Sequence, residues 1–317
     1  MLAAEIAFKH PSLYSRVERL MGNRFEISVV ANDDKWSLEC INAAINEIKR
    51  IENLLTTFND GSQTNQINLN AGIKPVAVDR EVFDLISRSL KISELTQGSF
   101  DITYGSIDKK FWNFDTSMSS LPDRKKAKKS VRLINYENVI LNESHGTVFL
   151  KEKGMRIGFG GIGKGYAADR AKYILQKNGV VSGVVNAAGD LCTWGMQPDG
   201  RSWTVGIADP YKKTVPFAHL NISNMAVATS GNYEKFALIN GKKYSHTIDP
   251  KTGFPVEGIK SVTIITACAE LADAMATPVM IMGIDKGLNL INQMKNIECI
   301  IIDEKDSIYN SSNISIS

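Results

Sequence analysis

The stretch Gly158-Phe159-Gly160-Gly161-Ile162-Gly163-Lys164-Gly165 restricts this chain more than any other part of it. An apolar run, Met155 to Phe159, leads in, and a helical pattern, Tyr166 to Lys177, leads out. Glycines let backbone N–H groups approach an anion closely, and the helix start that follows adds partial positive charge. Lys164 can add a full charge. The loop is therefore suited to hold phosphate. Two spacings fit it, each with a flaw. Gly158, Gly160 and Gly163 satisfy the dinucleotide-binding pattern G-x-G-x-x-G, which is weak alone. Gly158, Gly163 and Lys164 satisfy most of G-x-x-x-x-G-K-[ST], but Gly165 stands where the Mg²⁺-binding hydroxyl belongs, so the metal would lack a ligand. A plainer reading also stands: a glycine turn that packs a helix tightly on a sheet.

The pattern around the loop decides between architectures. Upstream, a strand is expected at 24–31 and a helix over 37–58, with Ile41, Ile45, Ile48, Ile51, Leu55 and Phe58 at helical spacing. Asp79 caps a second expected helix that runs to Thr96 and stops at Gly98. Ser99 to Gly105 is rich in turn residues, and short strands are expected at 138–141, 147–150 and 155–159. The helix after the loop should end at Gly179. Beyond it, 183–186, 203–208, 218–222, 225–228, 235–239 and 260–266 all read as strands, with Asn240-Gly241 as a hairpin signal. Helices over 271–282 and 286–294, the latter capped by Asp285, and a strand at 298–302 follow. A dinucleotide-binding domain needs strands alternating with helices. Strand after strand argues against it, although Asp190 lies roughly where a ribose-binding acid would. The expectation is an α+β protein with mixed, largely antiparallel sheets, packed helices and one compact site.

Composition narrows the function classes. The chain has 317 residues, 43% of them hydrophobic and 22% charged, and its net charge of +3 does not point to nucleic acid. Its basic cluster, Arg124, Lys125, Lys126, Lys128 and Lys129, has no interleaved aromatics and reads as a solvated loop. Cys40, Cys192, Cys268 and Cys299 form no C-x-x-C pair, so no zinc site is expected. No apolar run is long enough to cross a membrane. The N-terminus shows no secretory signal, so a cytoplasmic location is expected as written; a removed leader would instead allow a periplasmic or membrane-anchored one.

Three further segments carry chemistry. Tyr244 to Gly253 places His246 and Asp249 before a Pro/Gly turn, and histidine is the default proton-transfer residue near neutral pH. The alternative is a histidine hydrogen-bonded within the turn. On the helix over 271–282, Asp273 and Thr277 are one turn apart and share a face. Together they offer two hard oxygen ligands suited to Mg²⁺. Alternatively, Thr277 bonds back to the helix and Asp273 is a surface charge. Ala228 to Tyr233 is a run of small polar residues that could line a pocket or form a turn.

In this order the segments resemble the FAD:protein FMN transferases, also called the thiamine-biosynthesis lipoprotein family. The matching pieces are Leu20-Met21-Gly22; Gly98 to Thr103; Gly160 to Ala167; Asn186 to Asp190; Thr229 to Tyr233; His246 to Pro250; and Ala272 to Thr277. They span most of the chain. The resemblance implies transfer of FMN from FAD to a threonine hydroxyl of an acceptor flavoprotein, a post-translational flavinylation in which AMP leaves. It implies acceptors that are subunits of membrane redox complexes or flavin-dependent reductases. An FAD pyrophosphatase, or an FAD-binding protein without turnover, is the alternative.

The resemblance also assigns roles. Mg²⁺ would be held by the Gly161 carbonyl, Asp273 and Thr277. Lys164 would contact the phosphates, and His246 would be the base for the incoming hydroxyl. Met21, Ser99, Phe100 and Asp101 would line the FAD pocket, with Ile248 beside His246. The transferase domain would cover residues 17–305, between an N-terminal extension (1–16) and a C-terminal tail (306–317). The chain departs from the family pattern at Gly158, where aspartate is usual, at Gly163, where alanine is usual, and at Ala188, where glycine is common. The first departure would remove a polar contact to FAD unless it is supplied elsewhere.

Overall fold

Alternation of apolar and polar residues sets which face of each strand is buried, and here it builds one large antiparallel sheet. The computed structural model describes residues 10–108, 120–208, 216–232, 236–239 and 241–314. The sheet runs β1 (Ser12–Leu20), β2 (Asn23–Ala31), β6 (Gly183–Ala187), β7 (Asp190–Trp194), β10 (Ala226–Gly231), β13 (Ile259–Thr266), β14 (Ile297–Asp303) and β15 (Ile308–Asn310). Every neighbouring pair is antiparallel, which removes the parallel dinucleotide-binding architecture. Phe25, Ile27, Val29, Val185, Cys192, Trp194, Ala228, Val262, Ile264 and Ile301 point to one face and form the main core. On the other face Leu191, Val227, Ile265 and Ile300 pack with Val205 and Ile222. The last two come from the hairpin β8 (Trp203–Ala208) and β9 (Pro216–Ile222).

Helices cover the main core. They are α1 (Asp34–Leu55), α2 (Gln63–Leu69), α3 (Arg80–Leu95), α4 (Arg124–Ser130), α5 (Gly163–Lys177), α6 (Ala269–Met282) and α7 (Ile284–Gln293). Asp33 caps α1 by accepting from the Trp36 N–H at 2.6 Å. The expected apolar stripe is buried from Ile41 to Leu55. Phe58 departs from it: the helix stops at Leu55, and Phe58 stands beyond it, 95% exposed. A small sheet orders β3 (Val76–Ala77), β5 (Thr147–Leu150) and β4 (Val139–Asn142). The expected hairpin is present as β11 (Phe236–Ile239) and β12 (Lys242–Ser245). Tyr233, Lys235 and Asn240, parts of the sequence reading, lie outside the described residues.

Several expectations change. The basic cluster is not a loop but α4, because Asp123 caps it, accepting from the Lys126 N–H at 2.9 Å, and Ala127 is fully buried. Residues 155–159 are extended but form no strand, because side chains take their backbone groups. The Ile157 N–H donates to Asn68 Oδ1 at 2.7 Å and the Arg156 N–H to Ser106 Oγ at 2.8 Å. The cap of α7 is Gly283, with Asp285 inside the first turn. β1 crosses residue 16 and β15 lies within 306–317, so both chain ends of the sheet reach past the expected domain limits. The cysteines are free thiols, and among the described residues no helix is long and apolar enough to cross a membrane.

An ion-pair network ties α1, α3 and α5 together. Arg50 bridges Glu47 at 2.8 Å and Glu81 at 2.7 Å, and the Tyr166 hydroxyl also donates to Glu81. Arg50 is the main cause holding both carboxyls below the ordinary glutamate value of 4.5. A depressed folded-state pKa stabilises above the unfolded value, and the contribution is lost as pH falls through the folded one. Glu81→Gln should therefore cost about 1 kcal/mol at neutral pH, discounted for the exposure of Arg50, and the cost should shrink in acid. Thermal melts of both proteins across that range check this; a constant gap would show that Glu81 does not stabilise through its charge.

Candidate functional site

The glycine loop meets α6 at the first turn of α5. The first helical bond of α5 runs from the Tyr166 N–H to the Ile162 carbonyl at 3.0 Å. The Gly165 N–H, one of the first-turn donors that a helix leaves unpaired, donates to Asp273 Oδ2 at 3.0 Å. Gly161 precedes the N-cap Ile162, so its carbonyl takes no part in the ladder of α5. Gly165 sits so close to α6 that a Cβ there would lie 2.1 Å from the Ala269 carbonyl oxygen and 2.9 Å from Asp273 Cβ. This accounts for the absence of the P-loop hydroxyl at 165: no side chain fits.

The two helices cap each other. Cys268 gives α6 no side-chain cap. Asp169 of α5 serves instead, accepting from the Ala269 N–H at 3.1 Å and the Glu270 N–H at 2.9 Å. Asp273 of α6 returns the service at Gly165. Each helix start thus has a carboxylate of the other helix against it, which offsets the positive end of its dipole. Arg88 of α3 fixes the start of α6 through a bidentate pair with Glu270 at 2.6 and 2.9 Å.

Lys164 stands between two buried carboxylates. It ion-pairs with Asp190 and, at 3.2 Å, with Asp273, whose residues are 5% and 6% exposed. Burial disfavours the lysine's charge most, yet Asp273 and Asp190 outweigh it and raise its pKa above 10.5. The Asp190 carboxyl is raised, chiefly by burial and then by repulsion from Asp273, with Lys164 opposing. With all three ionised, the cluster carries one excess negative charge. Thr277, one turn beyond Asp273, has its hydroxyl 3.4 Å from Ser230 Oγ. Asp273 is thus no surface charge, and its hydroxyl neighbour is aimed at β10. A carboxylate, a hydroxyl and a carbonyl outside the helical ladder are hard oxygen donors, and they fit Mg²⁺. Among the described residues no cluster of three or more His, Cys, Asp or Glu offers another metal site.

Of the expected pocket residues, Met21 and Phe100 lie against the loop. Met21 and Gly22 form the β1–β2 turn at φ +50° and +73°, the two-residue geometry that matches strand twist. The Met21 methyl lies 3.5 Å from where a Gly163 Cβ would be. Phe100 lies 3.6 Å from the corresponding point on Gly161, and Ser99 is buried beside it in sequence. The Asp101 carboxyl is committed internally: it accepts from the Thr103 N–H at 2.8 Å, the Thr103 hydroxyl at 2.6 Å and the Tyr136 N–H at 2.9 Å. Burial nevertheless raises its pKa above 3.8. His246 follows β12 and is half-buried. Ile248 is fully buried against Ala127 and Val131 of α4, so its side chain belongs to a small core. The Ile248 N–H donates to the Tyr104 hydroxyl at 3.3 Å, which ties the His246 segment to the one carrying Phe100 and Asp101.

Sequence reading missed Asp190 as the partner of Lys164 and Ser230 as the partner of Thr277. In the sequence Asp190 reads as a candidate ribose acid and as the last residue of the Asn186-to-Asp190 match, and in neither role as a partner of Lys164.

The ApbE family model matches residues 21–301. A protein from Klebsiella pneumoniae named FAD:protein FMN transferase is 31% identical over 95% of this chain and 92% of its own length. One of the same name from Treponema pallidum is 30% identical over 91% of this chain and 84% of its own. The crystal structure of the ApbE protein from Thermotoga maritima matches with a TM-score of 0.86 and 29% identity, covering 95% of this chain and 97% of that one.

Proposed function

The chain belongs to the ApbE family, and we propose that its site uses Mg²⁺ to move FMN from FAD onto a threonine hydroxyl of an acceptor flavoprotein. It is a flavin transferase by the names of its relatives. The observation that supports the metal and the phosphate is the junction of α5 and α6, where Lys164 and the glycine loop before α5 meet Asp273 and Thr277 of α6.

In the reaction the threonine oxygen forms a bond to the phosphorus on the FMN side. The bridging P–O bond breaks, AMP takes the electron pair, and His246 takes the hydroxyl proton. Lys164 and the glycine loop at the start of α5 hold the pyrophosphate and meet the charge that gathers on its oxygens. Gly161, Asp273 and Thr277 would hold the Mg²⁺, which when bound supplies Lewis-acid stabilisation of phosphoryl oxygens. Phe100 and Met21, which pack on the loop, would border the flavin nucleotide.

His246→Ala should slow transfer about 100-fold or more, the range of a lost general base, with FAD binding kept. Single-turnover labelling of an acceptor domain measures it, and an unchanged rate would remove His246 as the base. The same assay separates readings: covalent flavin on the acceptor marks a transferase, and AMP without it marks a pyrophosphatase.

A further inference from the structure

The helix α4 has no part in the chemistry above, yet it is clamped to the segment that carries His246. Gly253, at φ +74°, approaches it so closely that a Cβ would lie 2.2 Å from the Ala127 carbonyl oxygen. The Lys128 ammonium donates to the Lys251 carbonyl at 2.6 Å. Ile248, two residues after His246, is buried against Ala127 and Val131.

Between α4 and the Pro250-Lys251 turn lies a groove of ≈ 860 Å³. Its rim carries Arg124, Lys125, Lys128, Lys129, Arg132 and Lys251, while Val131, Ile134 and Pro250 supply an apolar floor. Two acids on these elements are engaged elsewhere: Asp123 pairs with Lys126 and caps the helix, and Asp249 accepts from the Lys251 N–H and the Thr252 hydroxyl. Six like charges on one rim repel one another, and the buried residues of α4 are Ala127 and Ser130. Lys128 is used in the clamp on Lys251, but packing does not call for the charges of Arg124, Lys125, Lys129 and Arg132. In a protein of net charge +3 they concentrate on one face.

We propose that this groove docks an acidic segment of the acceptor protein, and so delivers the acceptor's hydroxyl to the His246 side of the site. The proposal rests on the transferase reading. The concave shape with an apolar floor favours a polypeptide carrying acidic and apolar side chains over a flat lipid surface. Complementary charge would chiefly raise the rate of encounter and fix orientation.

The test uses a fluorescent peptide of glutamate and leucine around one threonine, its lysine-substituted counterpart, and vesicles containing phosphatidylglycerol. The acidic peptide should bind the full-length protein and weaken about tenfold between low and physiological salt. The K125E/K129E/R132E variant should lose about tenfold or more in affinity, and K125Q/K129Q/R132Q should lose less. FAD binding, read by flavin fluorescence, should stay unchanged in both. Equal peptide binding by the charge-reversed protein, equal binding of the lysine peptide, or vesicle binding without peptide binding would each overturn the proposal. Failure of the unsubstituted protein to bind FAD, with peptide binding intact, would instead overturn the transferase reading and leave the groove standing.

Discussion

Gly165→Ser should fail to give a folded protein, although it restores the hydroxyl that a P-loop carries. The Cβ would meet the Ala269 carbonyl oxygen at 2.1 Å and the Asp273 Cβ at 2.9 Å. These atoms are backbone and helix-anchored, so neither can swing aside. Even Gly165→Ala, which would gain up to about 1 kcal/mol from helix propensity, should cost roughly 3 kcal/mol or more through overpacking and a forced shift of α6. Gly158→Ala is the control. Its Cβ would meet nothing nearer than Thr57 Cγ2 at 4.0 Å, so its effect should stay within about 0.5 kcal/mol. Urea unfolding of the three variants reads the difference. A Gly165→Ala protein as stable as the Gly158→Ala one would show that the helices can part without loss.

The second large effect falls on activity. Asp273→Asn should lower Mg²⁺-dependent transfer by about 10³-fold or more, since on the proposed mechanism several kcal/mol of charge stabilisation depend on the metal it would hold. The amide oxygen can still accept from the Gly165 N–H, so the fold should survive. Asp273→Ala removes that acceptor as well. It should add a stability loss of about 1–2 kcal/mol from the unpaired buried N–H. FAD binding should persist in part in both variants, through Lys164 and the glycine loop at the start of α5. Calorimetric titration with Mg²⁺ in the presence of FAD provides a readout besides turnover. Full activity in Asp273→Asn would remove the carboxylate from the metal site.

Elements with strong periodicity were legible in the sequence: α1 from Ile41 to Leu55, α3 between Asp79 and Gly98, and the strands feeding the main sheet. What escaped did so for physical reasons. β1 is mostly exposed and carries Arg16, Glu18 and Arg19, so it shows no buried face. The polar helix α2 is ordered by Ser62, whose hydroxyl accepts from the Asn65 N–H at 3.0 Å. Residues 155–159 look like a strand because they are apolar, but Asn68, 89 residues away, takes the hydrogen bonds a neighbouring strand would. In the candidate site, Lys164 stands out through its glycine loop, and Asp273 with Thr277 through their helical spacing, while Gly161 enters only with the family resemblance. The pairing of Lys164 with Asp190 was not, since only the β6–β7–β10 register sets residue 190 beside α5. Asp101 could be named, but not that its oxygens are spent on Thr103 and Tyr136.

The exchanged caps of α5 and α6 bear on how the chain reaches this state. Asp169 and Ala269 are 100 residues apart, and Gly165 and Asp273 are 108 apart. Each helix start has unpaired N–H groups until the other arrives, so neither is well formed alone. Closing such long loops comes late and slowly in a folding reaction. The junction proposed to hold phosphate is therefore created in one cooperative event with the docking of these helices. Partly folded chains hold no half-built version of it, and a nucleotide that binds there stabilises only the completed fold.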